Sequence, residues 1–147
     1  MSVRTRLLGI DYGTKRIGLA VSDADRKIAS PLATYERADR DADATYFRRL
    51  IDAEEIGQLV VGLPIHLSGD ESAKSAEARA FGKWLHEITG LPVAFADERF
   101  TTIDAESALW NAGLTHKQRK ARRDRLAAQI LLQAYMEAGC PIQADMG

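Results

Sequence analysis

The stretch Gly9-Ile10-Asp11-Tyr12-Gly13-Thr14-Lys15-Arg16-Ile17-Gly18-Leu19-Ala20 sets an aspartate and a glycine between two apolar runs of different character. Before the aspartate, Arg6 to Ile10 is short and apolar, as a buried strand would be. After the glycine, Ile17, Leu19 and Val21 alternate strictly with other residues, as in a strand with one buried face. Asp11 therefore stands at the C-terminal end of a strand. Gly13 lets the chain turn sharply and would let a phosphate approach the backbone. By itself Asp-x-Gly reads equally as an ordinary turn, because turns favour both residue types for conformational reasons.

Working outward, Asp23 to Lys27 is a polar turn, and Ile28 to Tyr35 resumes a strand pattern that Pro31 confines to an edge or an irregular position. Phe47, Leu50, Ile51 and Glu54 follow helical spacing with one apolar face. Gln58 to Gly62 is a short strand. From Glu71 a second helix carries Ala78, Phe81, Leu85 and Ile88 on one face, until Gly90 and Pro92 stop it. Pro92 to Ala96 forms a fifth strand, ending at Asp97 and Glu98. Thr101 with Asp104 reads as a capping box for a helix over Ile103 to Ala112, and a final helix runs from about Arg122 to Ala138. This order predicts an α/β fold, a five-stranded mixed sheet with helices on both faces, in a single domain over residues 1–147.

The bulk properties agree. With 46% hydrophobic and 28% charged residues, the chain lies in the globular range, far from the composition of disorder. Cys140 is the only cysteine, which rules out an intrachain disulfide and a thiolate cluster for zinc or iron. The apolar run after Arg4 and Arg6 is broken at Asp11, well short of a signal segment or a membrane span, so a cytoplasmic protein with no membrane partner is expected. Oligomeric state is left open.

Two further acidic positions stand out. Asp97-Glu98 ends the fifth strand, and because successive strand residues point to opposite faces, only one of the two can share a side with Asp11. A surface ion pair with Arg99 is the ordinary alternative. Asp124 precedes Ala128, Leu131 and Tyr135 at offsets that put it on the buried face of the last helix, although helix capping or dipole compensation would also account for it. Carboxylates gathered at one sheet edge would repel unless a divalent cation held them ionised. A site of hard oxygen donors without a histidine or cysteine cluster favours Mg2+ or Mn2+ over zinc.

Charge is distributed unevenly. The net charge is −1, yet Lys117, Arg119, Lys120, Arg122, Arg123 and Arg125 against Asp124 give +5 between residues 117 and 125, leaving −6 elsewhere. Such a run is commonly just a solvated surface. Beside a candidate metal ligand it suits phosphate neutralisation and hence nucleic acid. No chemistry is assigned to His66, His86 or His116, and Trp84 and Trp110 read as packing residues.

On these residues the chain resembles the YqgF family, also called RuvX, described as pre-16S rRNA nucleases or Holliday junction resolvase homologues. The resemblance rests on Gly9 to Ala20, Val61-Gly62-Leu63-Pro64, Asp97-Glu98-Arg99-Phe100-Thr101-Thr102, and Asp124-Arg125-Leu126-Ala127-Ala128 with Ile130-Leu131-Leu132-Gln133. It implies an RNase H-like fold, with Asp11, Glu98 and Asp124 as the catalytic, metal-binding set. Lys15, Arg16 and Arg99 would bind phosphate or order the site. The implied activity is a metal-dependent endonuclease acting on the 5′ end of precursor 16S rRNA in ribosome biogenesis, with ribosomal precursor particles as partners. Branched DNA is the alternative substrate. Ile65-His66-Leu67-Ser68 departs from the family's asparagine- and aspartate-containing loop.

Two rivals are weighed against this reading. Asp-x-Gly-Thr is also the first phosphate loop of actin-like and sugar-kinase-like phosphotransferases, but those close two domains around ATP and the length here supplies one. A non-catalytic RNA-binding assembly factor is the other, against which the complete acidic set speaks.

Overall fold

The structure, a computed structural model, describes residues 3–63, 73–97 and 113–141. Along the chain come β1 (Arg6–Asp11), β2 (Arg16–Ser22), β3 (Ala29–Glu36), α1 (Arg40–Ala53), β4 (Ile56–Leu63), α2 (Ala73–Thr89), β5 (Val93–Asp97) and α3 (His116–Glu137). The helix expected over Ile103 to Ala112, with its Thr101 capping box, lies outside the described residues, as does the loop around His66.

The five strands form one sheet in the order β3-β2-β1-β4-β5. The first three are an antiparallel meander, whereas β4 runs parallel to β1 and β5 parallel to β4. Parallel neighbours need a crossover, and α1 and α2 supply the two. Pro31 is tolerated because β3 is the edge strand, and the β2–β3 register slips between Leu19 and Ala20, where Ala20 meets Pro31.

The two faces of the sheet are packed differently. Leu8, Ile10, Ile17, Leu19, Leu59 and Val61 meet Phe47 and Ile51 of α1 and Phe81 and Leu85 of α2 in a core of large side chains. The other face presents Leu7, Ala20, Val60 and Ala94 to Ala128, Leu132, Tyr135 and Met136 of α3. Glycines let α3 come close: a Cβ on Gly9 would lie 2.9 Å from the Leu132 Cβ, and one on Gly18 would lie 1.9 Å from the Asp124 carbonyl oxygen. Gln129 and Gln133 bind the backbone of Ala29 and Lys27, tying α3 to the edge strand.

The last helix begins six residues before the expected Arg122. Thr115 caps it, accepting from the Gln118 amide while the Gln118 side chain accepts from the Thr115 amide. Residues 117–123 carry no apolar period, so a periodicity reading misses them, yet lysine, arginine, glutamine and alanine are good helix formers. The basic run is thus part of the helix, and Asp124 is one turn beyond Lys120, clear of the N-terminal cap.

Burial, followed by the bond to Asp43, pushes the Tyr35 phenol up from 10 to about 12, and burial also raises Tyr46 and Tyr135. Below pH 10 folded and unfolded chains both keep these protons. From pH 10 to about 12 the unfolded chain releases the Tyr35 proton while the folded chain holds it, so folding stability is expected to fall across this window. Urea midpoints measured through that range check the expectation, and a flat profile would contradict it.

Candidate active site

Asp11 closes β1 on the side of Leu7 and Gly9, the side covered by α3. Its partner across the β1–β2 ladder is Gly18. Because the backbone of Asp124 rests on the bare Cα of Gly18, the helix delivers Asp124 beside Asp11. The two carboxylates line one cavity of about 430 Å³ with Gly13, Lys15, Arg16 and Lys120. Residues 11, 16, 120 and 124 converge although they come from opposite ends of the sequence.

Arg16 is the close partner of Asp124, its Nε donating to Oδ2 at 2.9 Å. Both side chains are partly exposed, so the pair orders the site more than it stabilises the fold. Of the basic run, Lys120 is the member that lines this cavity. Lys117 pairs with Glu36 at 3.3 Å on an exposed surface, and Arg119 and Arg123 are exposed. Arg122 is half-buried, and Arg125 reaches the Thr34 hydroxyl at 3.5 Å. The helical step separates these cations onto different sides of α3, which a count of charges along the sequence does not show.

Gly13 has a further reason to be glycine. A Cβ there would lie 2.1 Å from the Arg16 carbonyl oxygen, so the turn itself excludes a side chain. Lys74, near the start of α2, also lines the cavity; as a lone lysine it carried no signal in the sequence.

Parallel pairing of Ile10 with Val61 and of Leu63 with Asp97 brings the ends of β1, β4 and β5 to one edge. Along β5, Val93 and Phe95 belong to the α1/α2 side and Ala94 and Ala96 to the α3 side. The same alternation assigns Asp97 to the α1/α2 side, opposite Asp11. Glu98 and Arg99 lie outside the described residues.

The turn after Asp11 is braced from behind by residues that sequence reading passed over. Arg37 donates from Nη1 to the Tyr12 hydroxyl at 3.2 Å and to the Gly13 carbonyl at 3.5 Å, and its amide donates to the Lys15 carbonyl at 2.8 Å. Its Nε donates to Oδ2 of Asp43, which is buried in the first turn of α1. Oδ1 of Asp43 accepts from the Tyr35 hydroxyl at 2.7 Å and the Ala38 amide at 2.9 Å. Asp43→Asn keeps the shape but removes a charged acceptor from three donors, and is expected to cost about 2 kcal/mol in urea unfolding. An unchanged midpoint would mean that the brace contributes nothing.

Among the described residues no group of three or more histidine, cysteine, aspartate or glutamate side chains is gathered for a metal. The donors that do share the cavity, Asp11 and Asp124, are hard oxygen ligands of the kind Mg2+ and Mn2+ take. No helix among the described residues is long and apolar enough to cross a membrane.

Known proteins bear on this geometry. Residues 5–138 match the RuvX family, described as Holliday junction resolvase. A Rhodopirellula baltica protein named "Putative pre-16S rRNA nuclease" is 48% identical over 133 residues, covering 90% of this chain and 77% of its own. One of the same name from Koribacter versatilis is 42% identical, covering 92% and 89%. Among solved structures, Thermus thermophilus RuvC superposes with a TM-score of 0.53 at 16% identity, covering 91% of this chain and 96% of that one. The same protein in complex with a Holliday junction substrate gives 0.51 at 14% identity, covering 92% and 96%. At such identities the likeness speaks for the fold, which is RNase H-like. The family match spans nearly the whole chain, and with it the strands and the helix that carry Asp11, Gly18 and Asp124: this chain belongs to the RuvX family, a family of nucleases.

Proposed function

We propose that the chain is a single-domain, divalent-metal-dependent endonuclease that trims the 5′ end of precursor 16S rRNA. The observation that carries this reading is the shared cavity, in which Asp11 and Asp124 stand among Lys15, Arg16, Lys74 and Lys120. Glu98 is the third acid of the set. The alternation that takes Asp97 to the opposite side supports choosing its neighbour. Asp11, Glu98 and Asp124 would hold Mg2+ or Mn2+, which when bound supplies a Lewis acid for water activation and leaving-group stabilisation. Lys15, Lys74 and Lys120 bind the phosphates on either side of the scissile bond, with Arg99, the exposed Arg119 and Arg123, and the half-buried Arg122 extending the path. Lys117 joins that path by exchanging Glu36 for a phosphate. Arg16 holds Asp124 in place and faces the substrate phosphate with the rest of its guanidinium.

The relatives' names favour RNA, and the family's description keeps a four-way DNA junction as the rival substrate. Incubating the protein with 5′-extended precursor 16S rRNA and with a four-way junction, under Mg2+ and under Mn2+, separates them. The expected result is metal-dependent cleavage of the RNA. Junction cleavage alone would reassign the substrate, and tight binding without cleavage of either would favour an assembly factor. Work on precursor rRNA would place the protein in the cytoplasm on ribosomal precursor particles.

Lys15→Ala and Lys120→Ala each remove one phosphate contact in this scheme. Each is expected to weaken binding to all sequences alike and to flatten the slope of log affinity against log salt by about 1. Salt titrations of binding check this; a sequence-dependent loss would mean that the lysines read bases.

A further inference from the structure

Behind the Asp11 turn, on the α1/α2 side, lies a second cavity of about 270 Å³, lined by Tyr12 of that turn, by Arg37 and Ala38 ahead of α1, and by residues of α1 and α2. Planar groups make its walls. The Tyr12 and Phe81 rings lie 5.1 Å apart and Phe81 and Trp84 5.6 Å apart. The Arg37 guanidinium stands 5.4 Å from the Tyr12 ring and 5.2 Å from that of Phe81, and Arg40 lies 5.8 Å from the Trp84 ring. At the rim Glu77 is exposed, whereas Asp43 is fully engaged by Tyr35, Arg37 and Ala38.

We propose that this cavity is a subsite for one unpaired nucleobase of the substrate strand, beside the phosphates held by the lysines around Asp11. The inference rests on the nuclease reading and adds a strand requirement to it. Aromatic rings and guanidinium planes are the surfaces on which splayed bases stack. A rim carboxylate offers an acceptor for an exocyclic amino group. The volume is at or below the lower end for ligand pockets, about 300 Å³, which suits one ring system and not a base pair. Tyr12 lines both this cavity and the one holding Asp11 and Asp124, and a third depression, lined by Lys15, Arg16, Glu36 and Arg37 among others, shares residues with each. A strand crossing the turn would therefore have its phosphates among the lysines and its next base at the aromatic walls. A base held in a duplex would first have to leave its stack.

The test uses the full chain carrying Asp11→Asn, so that no strand is cut. Fluorescence anisotropy compares a labelled single-stranded RNA with the same backbone made of abasic residues. The base-bearing strand is expected to bind about tenfold more tightly. Adding Trp84→Leu or Arg40→Gln should bring that ratio toward one while the abasic strand binds as before. Arg40 is exposed, so it decides the matter if the tryptophan variant fails to fold. A ratio near one in the starting protein, a ratio that neither variant moves, or an equal loss for both strands would each overturn the subsite. Cleavage by the unsubstituted protein is measured separately. Cutting without any base preference removes the subsite and leaves the nuclease, and a base preference without cutting supports the subsite and removes the nuclease.

Discussion

Asp11→Asn is expected to lower metal-dependent cleavage on the order of a thousandfold while the protein melts as before, a loss of about 4 kcal/mol of transition-state stabilisation at 1.36 kcal/mol per decade. Asparagine matches aspartate in size, so the end of β1 keeps its shape. What changes is the charge: one of the two oxygens becomes an amide nitrogen that donates, and the remaining oxygen is neutral. A hard divalent cation binds such a group weakly. The lysines and Arg16 that line the cavity with Asp11 keep their own charge, so substrate binding is expected to be retained. Single-turnover cleavage and binding measured on the same preparation check both halves. Equal cleavage by parent and variant would trace the activity to a contaminant or to another site.

Gly18→Ala is expected to cost about 3 kcal/mol of folding stability, at the upper end for an added methyl in a packed interior, and to impair cleavage as well. The added carbon would fall 1.9 Å from the carbonyl oxygen and 2.4 Å from the carbonyl carbon of Asp124. Both are backbone atoms of a continuous helix, so no side-chain rotation relieves the clash. Either α3 lifts from the sheet or β2 bends away, and in both cases Asp124 moves relative to Asp11. Urea unfolding with cleavage per folded molecule reads the two consequences. A variant that unfolds like the parent and cuts like it would show that the close approach of α3 is dispensable.

The sheet was legible because its strands are written in apolar runs, short and continuous for β1, alternating for β2, and interrupted by proline at the edge for β3. Asp11 and Asp124 were legible as candidates for a related reason: Asp11 closes a buried apolar strand, and Asp124 lies where the apolar spacing of the last helix points inward. Their proximity was not, since it depends on Gly18, whose missing side chain registers in a sequence only as an absence. The start of α3 was hidden because cations carry helix propensity without periodicity. Asp43 and Arg37 were hidden for the opposite reason. An aspartate in the first turn of a helix and an arginine just before one look like dipole compensation and solvent exposure, and only the fold brings Tyr35 and the Gly13 turn to them. For Asp97 and Glu98 the sequence posed the choice, and the strand alternation that sends Asp97 to the other side answers half of it.

The contrast between the two faces of the sheet has a bearing on how such a chain can change over generations. On the α1/α2 side, contact is made by branched and aromatic side chains, which can be exchanged for others of similar volume at modest cost. On the α3 side, at Gly18, the spacing is set by peptide against peptide, a distance that no choice of neighbouring apolar residue adjusts. One face absorbs sequence drift and the other works as a ruler, so thermal stability can wander while the gap between Asp11 and Asp124 stays where it is.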